Sequence, residues 1–170
     1  MTTTQPNRIL AVEIRAARLG YAVLETSSQL RDFGGAWFPL PAASRSRFAR
    51  LLRLYRPSVL VLPGAGSRYP RNMRVRRIIA RIAHDEARKM GIQTYCVSEK
   101  AFRAFFSQYP RRDKYDLATI VVGEFPETAW RLPKRPQFYD TEPSQILYFD
   151  SIALGMAYLG FAQKMNRRDP

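Results

Sequence analysis

The stretch Arg8–Glu25, RILAVEIRAARLGYAVLE, places the strongest constraint on what this chain can fold into. Its first half holds the apolar run Ile9–Val12, which is too short for a helix and too apolar for an edge strand. This pattern predicts a central strand that is covered on both faces. The chain is then expected to turn at Gly20 and to return through Tyr21–Leu24, whose residues favour strands. A β-hairpin with a buried first strand therefore begins the fold.

A carboxylate, Glu13, follows this buried strand directly. In a low dielectric an isolated carboxylate is costly or takes up a proton, so Glu13 must meet a cation. The sequence leaves two kinds open. One is a neighbouring arginine, Arg15 or Arg18, and the other is a metal ion.

The hydrophobic pattern beyond the hairpin predicts two further buried strands and a series of helices. An α/β fold is expected, with a mixed five-stranded sheet of three antiparallel strands followed by parallel strands and flanked by helices. We predict that residues 1–7 are disordered, that residues 8–164 form a single domain, and that residues 165–170 form a basic tail. The predicted strands are a third strand within Gln29–Leu40 with a bulge at its glycines, and strands at Val59–Leu62 and Ile92–Val97. The predicted helices lie at Ser44–Tyr55, between the loop Pro63–Asn72 and Gly91, from Lys100, at Leu117–Phe125 and at Ser144–Lys164, and a loop is predicted at Pro126–Pro143.

The charge balance points to a polyanionic partner. The chain has 28 Lys and Arg against 14 Asp and Glu, a formal net charge of +14. Nucleic acid is favoured over an anionic membrane, because no basic amphipathic helix carries a face rich in Trp and Phe. The predicted contacts to nucleic acid are Arg15, Arg68, Arg71, Arg74, Lys100, Arg103, Arg111, Arg112 and Lys114. Aromatic residues lie among them and are candidates either for stacking on unpaired bases or for the core: Tyr69, Phe102, Phe105 and Phe106.

Two features bear on the cell compartment. With one cysteine, Cys96, the chain can form no internal disulfide, which suits a reducing compartment, and we expect a cytoplasmic protein. The most apolar segment, Ile146–Ala162, is short for a membrane span and contains Asp150. We therefore predict a buried helix there and no membrane association.

Two motifs resemble the RuvC superfamily of RNase H-like nucleases. ILAVEIRAARLGYAVL looks like that family's first hairpin, in which an acidic residue ends strand one. FDSIALGMAYL is similar to its closing helix, which brings a carboxylate, here Asp150, back to the first strand. The resemblance runs from Arg8 to Phe161. It implies an RNase H-like fold in which Glu13 and Asp150 lie side by side as ligands of Mg²⁺ or Mn²⁺.

The departures from the family pattern concern the metal ligands. Glu13 stands where the family usually has Asp, Pro63 where RuvC-type junction resolvases carry a second acid, and Leu147 where another lies one turn before the last Asp. The related YqgF-like branch instead has its middle acid just after strand five. On that alignment Glu99 completes a catalytic set with Glu13 and Asp150.

Three functions are weighed on these grounds. The leading one is a RuvC-like protein that binds branched or structured DNA or RNA, with a degraded acidic metal site that puts nuclease activity in doubt. The second is an active Mg²⁺-dependent endonuclease of the Holliday-junction-resolvase or pre-rRNA-processing type, using Glu13, Glu99 and Asp150; the resolvase type implies a role in DNA recombination. The third, an actin-like or sugar-kinase-like ATPase fragment, is opposed by the lack of a glycine turn at Ile14–Leu19. DNA or RNA as ligand and a homodimer as assembly remain open.

Overall fold

The computed structural model of the chain describes residues 7–64, 73–110, 113–135, 137 and 141–166, with the backbone alone at 165 and 166. The predictions for residues 1–6 and 167–170, and those for Arg68, Tyr69, Arg71, Arg111 and Arg112, lie outside these residues.

A five-stranded mixed sheet organises the described chain, in the order β3-β2-β1-β4-β5. β1 pairs antiparallel with β2, and β2 with β3, whereas β1 with β4 and β4 with β5 are parallel. The predicted mixed sheet is therefore confirmed, with the first strand at its centre. The strands are β1 (Ile9–Arg15), β2 (Arg18–Thr26), β3 (Gln29–Trp37), β4 (Val59–Pro63) and β5 (Gln93–Val97).

Helices cover both faces of the sheet, which explains why β1 and β4 are so apolar. Leu10, Val12 and Ile14 of β1 face one core together with α1 and α2. Ile9 and Ala11 alternate with them and face a second core with α3, α4 and α5. The helices are α1 (Ser44–Tyr55), α2 (Met73–Lys89), α3 (Glu99–Phe106), α4 (Lys114–Glu124) and α5 (Ile146–Asn166), with short 3₁₀ helices at Pro41–Ala43 and Pro126–Arg131.

Local sequence signals set several helix ends. Gly91 follows α2 with a φ of 69°, a left-handed conformation that glycine adopts without strain. Ser98 accepts a hydrogen bond from the amide of Ala101 and so caps α3. Asp113 and Asp116 form a reciprocal capping box at the start of α4. The predicted loop at Pro126–Pro143 instead begins with a 3₁₀ helix, because its Pro126 sits at the favoured first position.

The structure corrects the predicted turn at Gly20 and the predicted bulge at the glycines of β3. The hairpin turns at Ala16 and Ala17, and Gly20 lies inside β2 opposite Glu13. Gly35 lies in regular register with Gly20, so the predicted bulge is not at the glycines; the irregularities fall near Leu24. A Cβ at Gly20 would overlap the Leu147 carbonyl and lie 2.9 Å from its Cγ. These glycines thus make room for the start of α5.

α5 is long and apolar enough to cross a membrane by length and composition, yet 67% of the relevant 18-residue window is buried inside the domain. The helix packs on β1 and β2 and contributes to the second core. Among the described residues it is the one helix that meets that length and hydropathy test.

Candidate functional site

Glu13 lies near the end of β1 with its side chain fully buried. Successive side chains of a strand point to opposite faces, and its neighbours Val12 and Ile14 face α1 and α2. Glu13 therefore projects to the other face, where α5 lies. Its Oε1 accepts a hydrogen bond from Nη2 of Arg76 at 2.9 Å. The cation that the sequence requires for Glu13 is therefore supplied from α2, across the ends of the strands.

Asp150 is the second buried carboxylate of this region, and its side chain is 1% exposed. Its Oδ2 accepts a hydrogen bond from Nη2 of Arg15 at 2.7 Å. Arg15 follows Glu13 by two residues, so both project to the α5 side of the sheet. Glu13 and Asp150 thus lie on the same side, each in contact with an arginine.

Arg15 also belongs to a second ion pair. It donates to Glu142 in the segment before α5, and Glu142 in turn accepts a hydrogen bond from Lys114 at the start of α4. Burial acts to raise the pKa of Glu142, but the hydrogen bonds from Lys114 and Arg15 outweigh it and hold that pKa below its usual value. This cluster ties β1, α4 and the segment before α5 together.

Glu99, the third predicted carboxylate, lies at the start of α3. It begins α3 directly after the Ser98 cap and pairs with Arg103 one helical turn later, at 2.7 Å. Glu99 lines the same small cavity as Glu13 and Arg76. The cavity measures about 10 Å³, roughly the space of one water molecule. Leu154 of α5, one turn after Asp150, lines it as well.

Pro63 and Leu147 stand at the two positions where the family resemblance implies further acids. Pro63 ends β4 and lines the cavity beside Glu13, and Leu147 is buried against Gly20. Within the described residues, no group of three or more His, Cys, Asp and Glu side chains is arranged so that it could hold a metal ion.

The predicted nucleic-acid contacts fall into two groups in the described part of the chain. The first group is exposed to solvent and consists of Arg74, Lys100 and Arg103. Arg74 and Lys100 lie in the first turns of α2 and α3, and Arg103 lies one turn further along α3. Arg15 and Lys114 are instead engaged in the Glu142 cluster. The outer face of α1 is basic, with five exposed arginines at and just beyond it: Arg45, Arg47, Arg50, Arg53 and Arg56.

The stacking interpretation is wrong for Phe102 and Phe106. Both are buried, at 1% exposure, and pack in the core against each other with ring centroids 4.7 Å apart. Phe105 is partly buried and packs against Gly160 and Phe161. Their spacing along α3 is that of a helix face that covers the sheet.

Sequence reasoning missed two residues of the site, Arg76 and Glu142. A signal for Arg76 exists, because it stands three and seven residues before Ile79 and Ala83, on the buried stripe of α2. A charge in such a stripe calls for a buried partner. Glu142 lies in a proline-rich stretch without periodicity, and no local pattern distinguishes it.

Several solved structures have a fold similar to that of this chain. Thermus thermophilus RuvC superimposes with a TM-score of 0.70 at 13% identity, covering 93% of this chain and 96% of that chain. The chain has the RuvC fold. RuvC from the same organism in complex with a Holliday junction substrate gives a TM-score of 0.69 at 14% identity, covering 92% and 95% of the two chains. The yeast mitochondrial Holliday junction resolvase gives 0.55 at 13% identity, covering 94% and 86%.

The RuvC fold confirms the resemblance carried by the two sequence motifs, at the level of architecture. Matching by sequence alone finds neither a protein-family profile nor a curated protein that corresponds to this chain. The hairpin turn also bears on the ATPase alternative. Because β1 and β2 are joined by Ala16 and Ala17 alone, this hairpin carries no glycine-rich phosphate loop.

Proposed function

We propose that this protein binds branched nucleic acid through its phosphates and does not cleave it, because arginine side chains occupy the place of the catalytic metal ions. The observation that carries the proposal is the pair of buried contacts, Arg76 with Glu13 and Arg15 with Asp150. The fold supports the choice of ligand, since one RuvC of this fold is seen with a Holliday junction substrate.

The donor set fits a two-ion magnesium centre poorly. Such a centre needs several clustered carboxylates around ions about 4 Å apart. Here Glu13 and Asp150 each contact a guanidinium, and Glu99 contacts Arg103. Two further positions that the family resemblance assigns to acids are Pro63 and Leu147, neither of which can bind a hard cation through its side chain.

The arginines supply the positive charge that the two buried carboxylates need, which a metal ion would otherwise supply. A buried carboxylate without a cation would be strongly destabilising, whereas a hydrogen-bonded guanidinium compensates much of the desolvation. A metal ion entering this place would have to displace Arg76, which is itself only 8% exposed in its side chain. The ion pairs thus favour a stable fold over metal binding.

The binding surface is expected to be electrostatic. The net charge is +14, and exposed cations stand at the ends of the strands that surround the site, among them Arg74, Lys100 and Arg103. Cations spread over several elements suit contacts with phosphates rather than the reading of base edges. Branched DNA is the first ligand to test, with structured RNA beside it.

The experiment compares binding and cleavage in the same samples. A four-way DNA junction and a linear duplex of the same base composition are titrated by fluorescence anisotropy, then incubated with millimolar Mg²⁺ or Mn²⁺ and examined for cleavage. We expect tighter binding to the junction, no cleavage, and no rise in Tm with either ion.

Two outcomes contradict the proposal. Loss of binding to all nucleic acids would remove the ligand. Metal-dependent cleavage that disappears in Asp150→Asn would instead establish the endonuclease alternative. That alternative has one observation in its favour, the shared cavity of Glu13 and Glu99.

A further inference from the structure

An aromatic and basic surface adjoins the carboxylate site. It is formed by Arg18, Trp37, Trp130, Arg131 and Tyr148, and is named the Trp37 platform. The chain has two tryptophans, and both are largely exposed, Trp37 at 67% and Trp130 at 72%. They lie on different elements, the end of β3 and the 3₁₀ helix Pro126–Arg131.

The strand register connects this platform to the site. Arg15 is paired with Arg18 on β2, and Arg18 is paired with Trp37 on β3. Directly opposite residues in a sheet point to the same side, so these three side chains form one row across the face that carries α5. Arg15 at one end of the row contacts Asp150. Trp37 at the other end is exposed at the sheet edge.

An open cavity lies between Trp37 and α5. It measures about 250 Å³, and Arg18, Gly35, Trp37 and Tyr148 contribute to its walls. A Cβ at Gly35 would lie 2.7 Å from Cε1 of Tyr148, so the glycine lets the tyrosine ring lie close to the strand. Flat side chains therefore bound a space that is open to solvent.

Arg131 extends the platform from Tyr148 to Trp130. Its guanidinium carbon lies 4.2 Å from the ring centroid of Trp130 and 5.5 Å from that of Tyr148. These are cation–π distances. The surface thus alternates aromatic faces with guanidinium groups over a short span.

These groups suit a flat, anionic ligand. Exposed tryptophan forfeits the free energy of burial, and two such residues on one surface indicate a partner that covers them. The guanidinium groups and the net charge of +14 favour a polyanion as that partner. In a duplex the base faces already stack on each other, so only an unpaired base offers a free face to an aromatic ring.

We propose that the Trp37 platform stacks an unpaired nucleobase of the branched nucleic acid, with Arg18 and Arg131 contacting the flanking phosphates. The inference rests on the proposed function and goes beyond it, because it names the part of the ligand that is recognised. It assigns specificity for unpaired bases to the platform and general affinity to the exposed cations elsewhere.

The test uses three DNA ligands with the full chain: a four-way junction with unpaired nucleotides at the branch point, the fully paired junction, and a linear duplex. Trp37→Ala should weaken binding to the first ligand by about 5- to 150-fold, the range for loss of one stacked base. It should leave affinity for the linear duplex unchanged. In a Trp130→Phe background, the fluorescence of Trp37 should be quenched by the first ligand alone.

Two controls are available. Trp37→Phe keeps an aromatic face and should retain most of the affinity for the unpaired ligand. Tyr95→Ala removes an aromatic ring that is 42% exposed on β5, the opposite edge of the sheet, and should change none of the three affinities.

The outcomes separate this inference from the proposed function. If the chain binds junctions but Trp37→Ala affects all ligands equally or none, the inference is overturned and the proposed function stands. If the chain binds no nucleic acid, both fail. If Trp37→Ala converts a dimer into a monomer in sedimentation and leaves binding of the unpaired ligand intact, the platform covers a second copy of the chain, and the inference is likewise overturned.

Discussion

At the scale of single residues, Arg76 and Glu13 form the more deeply buried of the two arginine–carboxylate pairs of the site. Both side chains are almost completely removed from water, at 8% and 0% exposure. Breaking such a pair from one side leaves a buried charge, which is far more costly than the net value of the intact pair.

We therefore predict that Arg76→Ala lowers the free energy of unfolding by about 3–5 kcal/mol. The measurement is urea unfolding at neutral pH. Arg77→Ala is the matched control, because Arg77 is the next residue of α2 and is exposed, and its removal should stay within about 0.5 kcal/mol.

The double variant Glu13→Leu/Arg76→Met sharpens this prediction. Removing both charges leaves no uncompensated ion, so its loss of stability should be much smaller than that of Arg76→Ala. Equal losses in the two variants would show that shape, not charge, accounts for the role of Arg76.

Glu142 provides a prediction on pH. Its pKa is held below the usual value because the hydrogen bonds from Lys114 and Arg15 outweigh burial. A lowered pKa in the folded state stabilises the protein above the unfolded-state pKa, near 4.5, and this contribution is lost as the pH falls through the folded-state value. The stability difference between wild type and Glu142→Gln should thus be present at pH 7 and shrink in acid.

The comparison for this pH series is Glu127→Gln, the same charge change at an exposed position of the 3₁₀ helix Pro126–Arg131. A difference for Glu142→Gln that stays constant from pH 7 down through the acid range would contradict the predicted linkage. Chemical denaturation at each pH gives both values.

At the scale of elements, the close approach of α5 to the first hairpin positions Asp150. The backbone of Leu147 lies against Gly20, directly opposite Glu13 in the β1–β2 register. A glycine at this point brings the helix within reach of the strand, so that Arg15 can contact Asp150. The place of Asp150 in the site depends on this contact between elements.

Gly20→Ala should accordingly destabilise the protein by about 1–3 kcal/mol, because the added methyl group overlaps the backbone of α5. Gly123→Ala is the control. Nothing lies within 4 Å of a Cβ there, and α4 is helical at that position, so a gain of about 0.4–1 kcal/mol is expected. Thermal melts of both variants test the contrast in sign.

Sequence reasoning predicts the strands and helices, but it does not predict the partners of the two buried carboxylates. Strand and helix positions were predictable because burial imposes a local periodicity, as in Ile9–Val12 and in α2. The partners of the two carboxylates were not, because Arg76 is 63 residues from Glu13 and Arg15 is 135 residues from Asp150. Such pairs depend on how the sheet is assembled, and periodicity carries no information on that.

At the scale of the whole molecule, we expect the distribution of charge to determine how the proposed nucleic-acid ligand is bound. Buried arginines such as Arg76 are used internally, whereas those on the outer faces of α1 and α2 stand exposed to solvent. These exposed arginines account for the binding that we expect.

We predict that the affinity for nucleic acid falls steeply with salt. Six phosphate contacts would reduce the affinity by about a thousandfold between 50 and 200 mM salt, and a nearly flat salt titration would contradict binding through phosphates.

The position of the binding face can be tested at constant net charge. Arg74 and Lys100 lie in the first turns of α2 and α3, next to the ends of β4 and β5 that surround the site. Arg53 and Arg88 lie in the last turns of α1 and α2, which lead to the opposite ends of these strands. Arg74→Glu/Lys100→Glu should weaken junction binding strongly and lower the slope of log affinity against log salt by about one for each phosphate that is no longer neutralised. Arg53→Glu/Arg88→Glu changes the net charge by the same amount and should have a much smaller effect. Equal losses of affinity from both pairs would mean that the whole charge, rather than the face around the strand ends, attracts the nucleic acid.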